Sequence, residues 1–248
     1  MAETKLKDGG QQDNGKAGAT LATSVYDRLR DDVLAGRLKP GEKLRTDFLR
    51  DRYQIGNSPI REALNRLSAD GLVEREDQRG FRVASVSKGD LFELVKTRCW
   101  LEEVAIRESI ADGGTQWEEG LVIAFHHLSR FPRPASDGSY STDPDWEKLH
   151  RAFHVALISG CGSRRLVTIC EELFDKAERY RRLAAYGVPE RNERDEHQAI
   201  MDAALDGDTA LVSQLLREHY GRTVDVILSS KIEFVSHEND ADQILCID

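Results

Sequence analysis

The sequence predicts a mainly helical chain in two unlike parts: a short first part that ends in a small β-hairpin, and a longer second part that is helical throughout. Three observations predict this. Apolar residues recur at helical spacing from Ala22 onward, and give way to weak alternation only at 72–75 and 81–83. The turn residues Asp77-Gln78-Arg79-Gly80 separate those two short runs, as a hairpin requires. Charge divides at the same place. Residues 21–85 hold 13 Lys/Arg against 11 Asp/Glu, whereas residues 86–248 hold 19 against 30. That asymmetry points to two domains with different partners.

The chain has 248 residues, 40% of them hydrophobic and 32% charged, which allows one large core or two smaller ones. No run of about 18 apolar residues occurs, so no membrane span is predicted. The first residues carry no apolar segment of the secretory kind. Cys99, Cys161, Cys170 and Cys246 are scattered, with no C-x-x-C pair. That excludes a thiolate zinc site and a disulfide framework, and a reducing cytoplasm is the expected setting.

Residues 1–20 are rich in Gly, Gln, Lys and Asp and read as a disordered arm. Val25, Leu29 and Val33 recur at i, i+4 and i+8, and Gly36 sits where that first helix would stop. Lys39-Pro40-Gly41 is a turn. Thr46 is placed to cap a short helix carrying Phe48, Leu49 and Tyr53. Ser58-Pro59 reads as a second cap, with Pro at the first helical position. The helix that follows buries Ile60, Ala63, Leu64 and Leu67, and Gly71 ends it. From Lys88 onward no strand is predicted. Helices are expected near 88–112, 115–130, 144–159, 163–186, 190–206 and 208–236, with a loop from Pro132 to Thr142. The expected division is 1–20, 21–86, 88–236 and a polar tail at 237–248.

Helix, helix, turn, helix, hairpin is the order of a winged helix-turn-helix, whose last helix enters the major groove by its first turn. Arg61 lies in that turn, where its guanidinium can meet a guanine edge or a phosphate. Gly80 at the hairpin tip permits close backbone approach, and Arg79 and Arg82 flank it with charge. The expected DNA contacts are Arg61, Ser58, Asn57, Arg66, Arg45, Arg79 and Gly80. Taken singly, each arginine is more often a solvated helix face than a contact. The order of the motif favours DNA.

The stretches Leu38-Lys39-Pro40-Gly41-Glu42-Lys43-Leu44, Ser58-Pro59-Ile60-Arg61-Glu62-Ala63-Leu64-Asn65-Arg66-Leu67 and Asp70-Gly71-Leu72-Val73 resemble the GntR family of bacterial regulators. In that family the arginine matching Arg61 and the glycine matching Gly80 contact DNA. Asn57 stands where the family often has arginine, and Asp47 near where it has another basic residue. The resemblance implies a homodimer on a palindromic operator.

His150 and His154 are i, i+4 on a helix opened by Asp143-Pro144, so both leave one face a turn apart. His197 is in register with Ile200 and Ala204, and His219 with Val212, Leu215, Leu216 and Val226. A lone His on an apolar face is usually a hydrogen-bonded core residue. Four together, one pair at ligand spacing, point to a shared site for a divalent metal. Imidazole nitrogens suit zinc, nickel, cobalt or iron, with zinc the leading expectation. Arg98 lies on the inward stripe Leu91, Leu94, Val95, Leu101, Ala105. It is set either to capture a carboxylate or to pair with Glu102 at i+4. Tyr180 is read either as core or as a phenol lining a ligand cavity.

From about 88 to 236 the chain resembles the all-helical FCD effector domain of the FadR-like branch. Arg98-Cys99-Trp100-Leu101-Glu102, His150-Arg151-Ala152-Phe153-His154, His197 and His219 carry the likeness. His150 stands where that branch usually has Asp or Asn. The resemblance implies a metal at the base of a cavity and a small carboxylate effector bridging Arg98 and the metal. Cys161-Gly162-Ser163, Glu178-Arg179-Tyr180-Arg181-Arg182, Ser109-Ile110-Ala111-Asp112-Gly113 and Trp117-Glu118 are most similar to members that sense dicarboxylates such as glutarate.

Two other classes remain open from the residues alone. A metalloenzyme would need a general base beside the metal. No H-E-x-x-H occurs, and Glu147 and Glu196 are expected off the ligands' face. A structural zinc module for dimerisation would unfold without metal and bind no effector.

Overall fold

The computed structural model describes residues 21–76, 79–131, 143–184 and 193–235. The expected arm at 1–20, the loop at 132–142 and the tail at 237–248 lie outside the described residues.

Helix α1, Leu21–Leu34, places Val25, Leu29 and Val33 on one fully buried stripe. Helix α2 spans Thr46–Tyr53 and α3 spans Asn57–Ala69. Strands β1 (Lys43–Leu44), β2 (Val73–Glu76) and β3 (Gly80–Val83) form an antiparallel sheet in the order β1-β3-β2. Val73 pairs with Val83 and Glu76 with Gly80, which sets the hairpin register. Gly80 has φ +98°, a conformation that favours glycine at this turn. The third strand, β1, was not expected. Two residues carry no alternation to detect.

Both expected caps in this region move by one or two positions. Arg45, not Thr46, precedes α2 in extended conformation, and Thr46 is already helical. Helix α3 starts at Asn57 after Gly56, so Ser58 and Pro59 are its second and third residues. Proline is tolerated there because the first four helical N–H groups have no partner within the helix. The end of α3 follows expectation. Gly71 at φ +73° lets Leu72 N–H reach Leu67 O at 2.9 Å and Gly71 N–H reach Ser68 O at 3.2 Å. That pair of bonds closes the last turn as a Schellman motif.

A buried carboxylate ties α1 to α2. Asp32 accepts from Tyr53 at 2.5 Å, Arg52 at 2.8 Å and Arg37 at 2.5 Å. Burial alone would raise this carboxyl, but hydrogen bonds from Tyr53, Arg37 and Arg52 hold it below its usual range.

The second part comprises α4 (Lys88–Asp112), α5 (Gly114–Ser129), α6 (Pro144–Ile158), α7 (Arg164–Ala184), α8 (Glu193–Leu205) and α9 (Thr209–Ser229). Side chains cap four of them at their N-termini, Ser163 before α7 among them, which accepts from Leu166 N at 3.3 Å. Ser87 accepts from Asp90 N at 3.0 Å, Asp143 from Asp145 N at 2.8 Å and Asp208 from Leu211 N at 3.0 Å. Helix α9 stops at Ser229 rather than near 236. Ser230 turns extended and bonds its hydroxyl to Ile227 O at 2.6 Å, a local bond that competes with the helix. The chain then returns to the junction between the two parts. Val235 N–H donates to Val86 O at 2.9 Å, and Val235 forms a parallel bridge with Ser87.

Two separate hydrophobic clusters result, one built from residues between Val25 and Val83, the other from residues between Val86 and Ile227. No helix among the described residues is long and apolar enough to cross a membrane. Leu64 is fully buried in the first cluster. Leu64→Ala is expected to lower stability by about 2–5 kcal/mol, read as a shifted urea transition; a shift near zero would contradict the packing described.

Candidate functional site

Three helices bring four histidines together in the second part. Helix α6 supplies His150 and His154, α8 supplies His197, and α9 supplies His219. Each ring is at most 4% exposed. One ligand atom from each lies within 4.8 Å of all the others. Nε2 of His150 and Nε2 of His154 are 3.1 Å apart. Zinc–imidazole bonds near 2.0–2.1 Å place tetrahedral ligand nitrogens about 3.3–3.4 Å apart, so this pair at 3.1 Å is within a few tenths of an ångström of the spacing in one coordination sphere. Nδ1 of His150 is buried and has no hydrogen-bond partner.

The outer ring nitrogens show which way the rings face. Nδ1 of His219 sits 2.8 Å from Glu196 Oε2, and Nδ1 of His154 sits 3.2 Å from the Tyr220 hydroxyl. A carboxylate or phenol on one ring nitrogen fixes the tautomer and leaves the other for a metal. Glu147 Oε2 lies 3.7 Å from His150 Nδ1 and 2.9 Å from Arg181. Both glutamates therefore back the histidines, contrary to the expectation that they lie off the ligands' face. Glu147 is three residues before His150 on α6. Glu196 reaches His219 across the α8–α9 packing. Four imidazoles, two of them backed by carboxylates, fit a borderline divalent ion such as zinc or nickel.

Burial, then the neighbouring His154, hold His150 well below the usual histidine range; burial, then His197, do the same to His154. Burial pushes the Glu147 carboxyl up, against the pull of Arg181.

A cleft opens beside this cluster. It is lined by Leu91, Val95, Arg98, Arg181, Tyr220 and Thr223, together with three of the histidines. Arg98 forms its expected i, i+4 pair with Glu102. It faces the cleft, and it donates to Glu102 Oε1 at 2.9 Å and to the Tyr220 hydroxyl at 2.9 Å. Tyr180 does not line this cleft. Its hydroxyl donates to Asp90 Oδ2 at 2.5 Å, with Ser87 O at 3.3 Å. The cleft-facing positions of α7 are Ala177 and Arg181, one turn apart, and Tyr180 is rotated about 100° from Arg181. The phenol in the cleft is Tyr220, which sequence reasoning missed although it adjoins His219.

In the first part, Asn57, Ser58 and Arg61 are exposed on the first turn of α3. Arg61 and Arg45 form no ion pair among the described residues, so their charge is available to a ligand. Arg79 and Gly80 are exposed at the hairpin. Two arginines are committed elsewhere. Arg66 stacks 4.1 Å from the Tyr26 ring centroid, and Arg82 pairs with Glu76 at 2.8 Å.

A helix-turn-helix head with a hairpin wing, joined to a helical domain that buries a four-histidine cluster, defines a DNA-binding regulator. Comparison with known proteins agrees. Residues 21–83 match the family of bacterial regulatory proteins called gntR, and residues 93–222 match the FCD domain. The HTH-type transcriptional repressor GlaR of Escherichia coli K12 is 38% identical over 207 residues, covering 82% of this chain and 93% of that protein. BphR of Paraburkholderia xenovorans LB400, an HTH-type regulator, is 37% identical over 209 residues, covering 84% and 85%. The solved structure of E. coli McbR/YncC has the same fold, with TM-score 0.64 at 20% identity over 85% of this chain and 98% of that one. The chain belongs to the GntR family. It is a transcriptional regulator with a DNA-binding helix-turn-helix and an FCD domain, and the matched domains and relatives are those of regulators rather than enzymes.

The histidine cluster has a pH consequence. Below about pH 6.5 an unfolded chain protonates histidines that burial keeps neutral in the folded state, so stability there rises with pH. Chelator-treated protein is expected to lose up to ~1.4 kcal/mol per pH unit for each of His150 and His154 as pH falls below about 6.5. A melting temperature that stays flat from about pH 7.5 to 5 would contradict it.

Proposed function

We propose that this regulator is a cytoplasmic homodimer that represses transcription from a palindromic operator and is tuned by a small carboxylate held beside a divalent metal. The observation that carries the reading is the four-histidine cluster lying against an arginine-lined cleft. His150, His154, His197 and His219 would hold the ion, zinc by preference. The metal would supply a position for an anionic oxygen. Arg98 would orient the carboxylate against it, since a guanidinium matches a carboxylate in two-pronged geometry. The aliphatic wall of Leu91, Val95, Val224 and Ile227 suits a short carbon chain, and Arg181 offers a second cation. A dicarboxylate such as glutarate would match that distribution of charge once the cleft widens beyond its present free volume of about 20 Å³, and the likeness to a repressor supports the sign of regulation.

Arg61, Asn57 and Ser58 would enter the major groove, with Arg45, Arg79 and Gly80 at its margins. The working division is a head at 21–86 and an effector domain at 88–236. Dimerisation is supported by Trp100, which is 61% exposed, and Val104, one turn further along α4.

Metal content by mass spectrometry on untagged protein, with thermal-shift screening of small carboxylates, tests the site. About one divalent ion per chain is expected, with a carboxylate that raises the melting point only in the loaded form. No metal and no stabilising acid would remove the sensor reading. His154→Ala is expected to lose the metal and keep DNA binding; wild-type metal content would contradict it. Arg61→Ala is expected to weaken operator binding by roughly 10- to 100-fold at unchanged metal content. An unaltered operator Kd in a gel-shift titration would sink that assignment.

A further inference from the structure

Helix α7 touches both functional parts of the molecule with neighbouring residues. Ala177 and Arg181 face the cleft, and Arg181 holds the buried Glu147 of α6 at 2.9 Å. The adjacent residues face the head. Arg182, itself buried, reaches Asp31 of α1 at 3.2 and 3.3 Å and Glu178 at 3.2 Å. Arg179, also buried, donates to the backbone carbonyl of Ala84 in the segment joining the two parts. Leu183 stands where a Cβ on Gly36, after α1, would come within 3.0 Å of it, and Gly36 has φ +68°.

A second line runs parallel, one to two turns earlier. Arg151 lies on α6 between the two ligand histidines and binds Asp175 of α7 at 2.9 Å. Arg30 of α1 reaches the same Asp175 at 4.0 Å and Glu178 at 3.9 Å. The helix that carries His150 and His154 is thus joined to α1 of the head through a shared carboxylate as well as through Arg181 and Arg182.

We propose that α7 is the element that transmits the state of the cleft to the DNA-binding head, through Glu147–Arg181 on one side and Arg182–Asp31 with Arg30–Asp175 on the other. This rests on the reading of the cleft as the regulatory site. A side chain inside a packed helix cannot be displaced without moving its neighbours, because interiors are close-packed. Arg181 and Arg182 are consecutive on a rigid backbone, so a displacement at one is delivered to the other. The head-side contacts suit release. Asp31 is half exposed, and Arg182 keeps Glu178 when Asp31 leaves, so this contact can be exchanged without stranding the buried guanidinium. The competing account is that these pairs only cement two domains. Coupling distinguishes the two, because changes more than about 7–10 Å apart with no shared partner combine independently.

The test is a double-mutant cycle on operator affinity, with no effector needed. The DNA is a duplex selected by the wild-type protein from a random pool, and Kd is read by fluorescence anisotropy. Glu147→Gln perturbs the cleft side and Asp31→Asn the head side. Glu147→Gln is expected to change Kd by about threefold or more in the wild-type background, and by less than about 1.5-fold in the Asp31→Asn background. Equal effects in both backgrounds, or none in either, overturn the proposal. Should Glu147→Gln fail to fold, Ala177→Val serves as the cleft-side change with the same two outcomes. Metal content measured on each protein reports separately on the regulatory-site reading. Metal-free wild type would defeat that reading while the cycle still decides whether α7 couples the two parts.

Discussion

Four imidazoles packed inside a helical bundle set the terms for the rest of the effector domain. Each ring displaces apolar volume yet carries two nitrogens that need partners. The structure meets that demand from behind. Glu196 takes one outer nitrogen and the Tyr220 hydroxyl another, and Glu147 stands near a third. These groups bring charge of their own, so cations follow them inward. Arg98 accompanies Glu102, Arg181 accompanies Glu147, and Arg222 accompanies Glu196. The polar interior is thus built in layers, with neutral nitrogens at the centre, acids around them and guanidiniums outside the acids.

That layering accounts for Arg181 on α7, whereas Arg179 and Arg182, buried on the same helix, face the head. Removing a guanidinium from water costs several kcal/mol unless it is fully paired, and breaking one such pair leaves the other charge stranded. Burial pulls the Arg179 guanidinium below its usual range, and its hydrogen bond to Ala84 O anchors it where no carboxylate among the described residues pairs with it. Such contacts add little net stability compared with apolar packing. Their value lies in fixing orientation, which a purely aliphatic interface between head and effector domain would leave free to slide.

What the sequence disclosed follows the range of each interaction. The i, i+4 spacing of His150 and His154, the register of His197 and His219, and the cap at Asp143-Pro144 are local facts, and local periodicity carries them. Arg98 was placed correctly on an inward stripe for the same reason. The partners were not legible. Glu196 meets His219 from 23 positions away, and Tyr220 meets Glu102 from 118 away. Nothing in either neighbourhood specifies how α8 and α4 lie against α9. Of the two readings of Tyr180 the structure gives the core one, and the sequence left both open because a helix carries a broad apolar face. A residue 100° from the cleft-facing line still reads as inward. Strand β1 and the return of Val235 to Val86 were invisible because two-residue pairings have no period. The start of α3 moved because Gly56 took the extended position that Ser58 was expected to occupy.

The modest charge of the head gives these details their consequence. A net of +2 over residues 21–85 supplies few phosphate contacts, and two of the arginines in that segment, Arg66 and Arg82, are held by Tyr26 and Glu76. Each phosphate contact contributes through counterion release, so a head with few of them binds weakly alone. Under the dimeric reading, affinity then comes from engaging two half-sites together, a gain that vanishes when geometry forbids simultaneous contact. A protein with strongly basic heads would tolerate a shift in head pose, because each head would hold DNA unaided. Weak heads convert a small change of pose into a large change of affinity. A few half-buried ion pairs between α7 and α1 are therefore of sufficient strength to act on DNA binding.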